Sequence, residues 1–246
     1  MKKCLIVQPG AFGDLFVCAP IAKYYNDMGY KIIWPTTQKF SKIFKYFSYI
    51  NHLTLSDEKL HEDWLRSDVL KILKIIPDIN PDIIINLADR GPHPTQQMPT
   101  ENFEQCKYRL SQVPFGEKHK LSWTRNAIKE ESLFKNLGLH TAEEYAVVHN
   151  SDSSGAKAPV PDLDIKQINV SPIDGYEIPD WFLVFDRAKE IYCTESSIHQ
   201  FIDGAVNQIN SKKYLLSRPN SRPGCRLTTS FNWDLTFVGY NSIISG

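Results

Sequence analysis

Residues 8–20, Gln8-Pro9-Gly10-Ala11-Phe12-Gly13-Asp14-Leu15-Phe16-Val17-Cys18-Ala19-Pro20, read QPGAFGDLFVCAP and follow directly on the apolar run Cys4–Val7. A short apolar run, then glycines, an acid and a helical apolar segment is the signature of a buried strand turning into a helix. Two glycines at such a turn let the backbone bend tightly and let another group approach it closely. The helix that follows presents unpaired N–H groups and a partial positive charge, which favour an anion such as a diphosphate. The stretch is GxxGD: it lacks the third glycine of the dinucleotide fingerprint, and no P-loop lysine follows. Two readings of Asp14 stand. It caps the helix, or it is a general base at the head of a ligand site, its charged form favoured by the helix N-terminus. Pro20 would break a backbone bond in a continuous helix, so the helix is expected to kink or restart there.

The same alternation continues along the chain. Apolar runs of strand length at Cys4–Val7, Lys31–Trp34, His52–Leu55 and Ile83–Asn86 are separated by helical segments at Pro20–Met28, Lys39–Tyr46 and Leu60–Ile76. That order predicts a parallel α/β sheet. The pattern weakens from Arg90 to Trp123, with a short helix at Glu101–Leu110, and an amphipathic helix over Asn126–Leu137 is stopped by Gly138. A second α/β pattern then opens: strand Tyr145–His149, strand Gln167–Val170, helix Trp181–Lys189, strand Glu190–Cys193, helix Ser197–Val206 and strand Lys213–Leu216. The expected division is 1–141, 142–225 and a final segment, 226–246, that could pack back across either half, the first domain being the one expected.

Composition narrows the function. The 246 residues are 42% apolar, enough for one large domain or two small ones. Lysine plus arginine equals aspartate plus glutamate at 28 each, so no net field draws the chain to nucleic acid or an anionic membrane. The N-terminal CLIV is too short for a signal-peptide core or a membrane span, and a cytoplasmic protein without an integral span is expected. Five scattered cysteines without a CxxC pair suggest reduced thiols, with neither a disulfide framework nor a zinc site.

Two further strand ends carry polar residues. Thr194-Glu195-Ser196-Ser197-Ile198-His199 opens a helix behind the strand Glu190–Cys193. Serine and threonine can hold phosphate oxygens there, and a carboxylate can accept both hydroxyls of a ribose. The plainer reading is an ordinary helix start with Thr194 or Ser196 as cap and His199 in the core. After His149, the residues Asn150, Ser151, Ser153, Ser154, Gly155 and Lys157 wrap a phosphate or form a surface loop. In open α/β sheets ligands bind at the carboxyl ends of strands, which links these junctions to the one at Asp14.

These stretches together resemble glycosyltransferase family 9, the heptosyltransferase-like enzymes. The resemblance rests on KKCLIVQPGAFGDLFVCAPIAKYY, PDIIINLADRG, EYAVVHNSDSSG and AKEIYCTESSIHQFIDGA. It implies a GT-B-like fold of two Rossmann-like parallel-sheet domains facing across a cleft. It also implies inverting, metal-independent transfer of a sugar from a nucleotide-sugar donor to a hydroxyl of a glycan or glycoconjugate acceptor. No cofactor other than that co-substrate is implied. Asp14 matches the family's Gly-Asp aspartate and would be the base. Glu195, Ser196, Ser197 and His199 would lie at the donor, Gly10 and Gly13 would shape the facing loop, and Arg125 lies near the expected domain junction. Arg218 and Arg222 could reach a diphosphate. The chain departs from the family in carrying Glu195-Ser196-Ser197 where Asp-Ser/Thr-Gly is usual. A sugar-nucleotide epimerase on the same fold and a non-catalytic nucleotide- or glycan-binding module are the alternatives, and a nicotinamide dehydrogenase is a distant fourth.

Overall fold

The computed structural model describes residues 1–8, 11–55, 72–74, 76–88, 103–141, 143–151, 155, 157–216 and 233–236. Gly10, Ser153, Ser154, Arg218, Arg222, Cys225 and most of the segment expected as helix Leu60–Ile76 lie outside the described residues. The chain divides into two compact units, Met1–Thr124 and Arg125–Gly246.

The first unit begins with strand β1 (Lys3–Val7), helix α1 (Phe12–Asp27), strand β2 (Lys31–Thr37) and the single turn α2 (Gln38–Ser41), which runs into a 3-10 turn, Lys42–Tyr46. Strand β3 (Ile50–Leu55), strand β4 (Ile83–Asn86), helix α3 (Phe103–Leu110) and a 3-10 turn, Phe115–His119, follow. The four strands form one parallel sheet in the order β3-β2-β1-β4. Cys4, Leu5, Ile6 and Val7 are all buried. A strand covered on both faces reads as an unbroken apolar run, and this one is central.

Helix α1 buries eight consecutive residues, Leu15–Ala22, and runs through Pro20 without the expected restart. Proline offers no N–H to the carbonyl four residues back. Hydroxyls from elsewhere in the unit reach carbonyls on this stretch: Tyr108 donates to Val17 O at 2.9 Å and Tyr49 to Ala19 O at 3.3 Å.

The second unit contains helix α4 (Ala127–Asn136), strands β5 (Tyr145–His149) and β6 (Lys166–Asn169), and a 3-10 turn, Ile178–Trp181, continuous with helix α5 (Phe182–Arg187). Strand β7 (Glu190–Thr194), helix α6 (Ser197–Gly204), strand β8 (Lys212–Leu216) and strand β9 (Trp233–Thr236) complete it. All five strands are parallel, in the order β6-β5-β7-β8-β9.

The division falls at Thr124/Arg125 rather than near residue 142. Helix α4 belongs to the second unit because Lys129 pairs with the buried Asp180 at 3.0 Å, tying the helix to the turn before α5. The C-terminal segment contributes β9 to the second sheet, where the Trp233 indole donates to Asp203 Oδ1 at 2.9 Å. Among the described residues no helix is long and apolar enough to cross a membrane. Cys4, Cys18, Cys106 and Cys193 are buried, and among the described residues they form no disulfide.

Candidate functional site

Strand order gives each sheet one reversal, a candidate position for a ligand. Successive crossovers carry the chain from β1 out to β3, and β4 then pairs with the opposite side of β1, so the order reverses between β1 and β4. In the second sheet β6 and β7 flank β5, and the reversal lies between β5 and β7. Ligands of open α/β sheets bind outside the carboxyl ends of strands at such reversals.

In the first unit, that position is occupied by the start of α1 and the end of β4. The N-cap of α1 is Ala11, at φ 67°, with no side-chain cap hydrogen bond. Asp14 is the third residue of the helix and half-buried, so it sits in the first turn rather than at the cap. Gly13 precedes it inside the helix. The Gln8 side-chain amide donates to Asp14 Oδ2 at 3.0 Å. Behind Gln8, Lys107 Nζ donates to Gln8 Oε1 at 2.5 Å and to the Leu87 carbonyl, just past β4, at 2.9 Å.

Neither Gln8 nor Lys107 stands out in the sequence. Gln8 is the first polar residue after a buried strand, a weak signal, and Lys107 is 99 positions away from it.

In the second unit, His149 ends β5 and lies in register with Cys193 on β7. Burial lowers the His149 pKa from its ordinary value and so favours the neutral ring, an effect partly offset by a hydrogen bond with the Val170 backbone. The loop after it folds on itself: Asn150 O accepts from Ala158 N at 2.7 Å, Asn150 Nδ2 donates to Ala158 O at 3.0 Å, and Ser151 bridges Lys157. Gly155 stands there at φ 82°, and Lys157 is exposed.

At the end of β7, Thr194 is 1% exposed, and its Oγ1 is buried without a hydrogen-bond partner among the described residues. Glu195 and Ser197 are half-buried at the entrance to α6. Ser196 is the cap of that helix and accepts from His199 N at 3.2 Å. Its hydroxyl also stands 3.8 Å from the Cys193 thiol, whose pKa burial pushes up to about 12. The His199 ring is buried, edge-on to Trp233 at 4.9 Å between centroids, as in the core reading of that residue.

Arg125 is occupied structurally. Its guanidinium forks onto Glu130 at 3.0 and 2.5 Å and lies 4.1 Å over the Phe182 ring. The second sheet thus brings His149 and the Thr194–Ser197 segment to neighbouring strand ends, while Arg125 serves the start of α4.

Two Rossmann-like parallel-sheet units in series define a GT-B-like fold. Solved structures with this fold include a glycosyl transferase family 9 protein from Veillonella parvula, at 12% identity and TM-score 0.56, covering 89% of this chain and 82% of that one. ADP-heptose LPS heptosyltransferase II of E. coli matches at 9% identity and TM-score 0.56, over 95% and 92% of the two chains. E. coli heptosyltransferase WaaC, solved with ADP-2-deoxy-2-fluoro heptose, matches at 13% identity and TM-score 0.51, over 94% and 91%. No family model and no curated protein matches the sequence. The likeness is one of fold.

Proposed function

We propose that this protein is a glycosyltransferase that moves a sugar from a nucleotide-diphosphate donor to a hydroxyl of a glycan or glycoconjugate acceptor, with inversion and without a metal ion. The observation that carries the reading is the coincidence of both strand-order reversals with the residues that have the needed chemistry. Asp14 lies at one, and His149 with Thr194–Ser197 at the other. The solved neighbours that hold ADP or an ADP-sugar make an adenine nucleotide the first donor to try.

In this reading the acceptor hydroxyl gives its proton to the Asp14 carboxylate as its oxygen bonds to the anomeric carbon. The bond from that carbon to the diphosphate oxygen breaks, and its electron pair leaves with the nucleoside diphosphate. Fixed N–H groups at the start of α6 meet the growing negative charge, the type of preorganised stabilisation that dominates such reactions. Thr194 Oγ1 is a further donor for a phosphate oxygen, and Glu195 accepts from ribose hydroxyls. A neutral His149 adds one donor without a fixed charge.

The test is Asp14→Asn. Calorimetric titration with ADP should give an affinity within about twofold of the unaltered protein, while sugar transfer from ADP-heptose to a panel of glycan acceptors falls by about 100-fold or more. Transfer by the unaltered protein should persist in excess EDTA. Full turnover by Asp14→Asn would remove Asp14 from the chemistry.

A further inference from the structure

The Asp14 carboxylate is held from behind by a buried relay. Gln8 and Lys107 are 2% and 3% exposed, and both oxygens that Lys107 meets, Gln8 Oε1 and Leu87 O, are neutral. An ammonium group has only donors, so the Gln8 atom facing it must be the amide oxygen. The amide nitrogen then faces Asp14 Oδ2, and the amide cannot flip without breaking both bonds. The Gln8 backbone is fixed in turn by the Trp34 indole, which donates to its carbonyl at 2.8 Å.

Lys107 is braced as well. It lies 4.4 Å over the Phe103 ring and is carried by α3, whose Tyr108 reaches the Val17 carbonyl of α1. Among the described residues, Glu104 and Lys118 are further buried charges in this unit, and they pair with each other at 2.5 Å. The Cys18 thiol, pushed up to about 12 chiefly by burial, feels Lys107, Asp14 and Glu104 together. A buried ammonium resting on neutral dipoles is expensive for the fold. Its placement one amide away from a carboxylate at the strand-order reversal calls for a functional reason.

We propose that Gln8 and Lys107 are positioning residues for Asp14: Lys107 locks and polarises the Gln8 amide, and that amide fixes the orientation and charged form of the carboxylate. The relay rests on the reading of Asp14 as the base. Polarised hydrogen-bond chains strengthen one another, so the lysine acts on the carboxylate through the amide as well as through space. Misplacing a reacting group by an ångström costs on the order of 100-fold in rate, so a locked carboxylate matters where a weak base must abstract a proton.

The experiment is a carbon-13 NMR titration of the Asp14 carboxyl in the full chain, assigned with Asp14→Asn. It compares the unaltered protein with Gln8→Met, Lys107→Met and Lys107→Arg. The midpoint should rise by about half a pH unit or more in Gln8→Met and Lys107→Met and stay near the original in Lys107→Arg. A residue that only filled space would leave it unmoved. Gln8→Met keeps the lysine and its Leu87 contact, so it carries the test if Lys107→Met fails to fold. With ADP-heptose as the donor probe, the same two variants should lose about 10- to 100-fold in kcat while the donor KM stays within about twofold. An unmoved midpoint in the folded variants overturns the relay whatever Asp14 does. A moved midpoint together with full transfer by Asp14→Asn overturns the assignment of the base instead.

Discussion

Ala11 holds φ 67° and ψ 119° immediately before the first turn of α1, with an exposed side chain and no cap hydrogen bond. An alanine there is a poor cap, and a non-glycine residue at such angles stores about 1–3 kcal/mol of strain. Strain of this kind gathers at functional loops, and this one lies three residues from Asp14. Ala11→Gly should therefore raise stability by about 1 kcal/mol after the larger chain entropy of glycine is subtracted, as read by urea denaturation at constant m. An unchanged or lower midpoint would mean that the loop carries no such strain. The turn from β1 into α1 was legible in Gly13 and Asp14 behind the apolar run Cys4–Val7. The Gln8–Lys107 contact was not, because nothing in local spacing pairs two residues 99 positions apart.

Helix α4 shows how an element acquires its place from a few charged contacts. Asn126 caps it by accepting from Lys129 N at 3.1 Å, as the run Asn126–Leu137 suggested, and Arg125 clamps the buried Glu130. Burial of Glu130 cannot be read from an exposed-looking KEE triplet, so the sequence placed Arg125 only near the expected domain junction. Arg125→Ala should destabilise the protein by about 2 kcal/mol, less than the about 3–5 of a fully buried pair because the guanidinium is half in water. Adding Glu130→Gln should recover part of that loss in the same thermal melt. Failure of the second change to recover anything would show that the stacking on Phe182, not the ion pair, holds the helix start. Strand β5 coincides with its expected range because Tyr145–Val148 is a continuous apolar run bounded by polar residues on each side. Helix α1 does not restart at Pro20, and the hydroxyls of Tyr108 and Tyr49, distant in sequence, reach carbonyls on that stretch.

The molecule as a whole carries one titrating histidine of similar character in each sheet: His52 in β3 and His149 in β5. Burial lowers both pKa values, although His52 Nε2 lies 2.8 Å from Thr36 Oγ1 and its ring stacks on Phe44. The unfolded chain therefore takes up these protons first as the pH falls through about 6.5. Stability should be complete above that value and decline below it, until each folded-state pKa is passed. Thermal melts between pH 8 and 5 check this, and the slope below pH 6.5 should flatten in a His52→Gln/His149→Gln double variant. An equal slope in that variant would assign the acid sensitivity to carboxylates. The alternation of strands and helices made both parallel sheets legible, and the compact units divide some 17 residues before the change of pattern. An inter-unit boundary is set by where side chains pack, and the change of pattern near residue 142 marks only where the second sheet begins.

Strand β9 gives the two units different histories during synthesis. Every described strand of the first sheet has been made by Asn86, and that unit closes at Thr124, so it can fold while the rest of the chain is still being translated. The second sheet must wait for Trp233, since β9 covers the side of β8 that is not paired with β7. A nascent chain stalled before that point exposes β8 as an open strand edge, the template on which unfinished sheets aggregate. It also denies the buried Asp203 carboxylate its indole donor. Newly made chains thus pass through an interval, between release of Leu216 and arrival of Trp233, in which the half that carries His149 and Glu195 lacks its edge strand while every described strand of the half that carries Asp14 has been made.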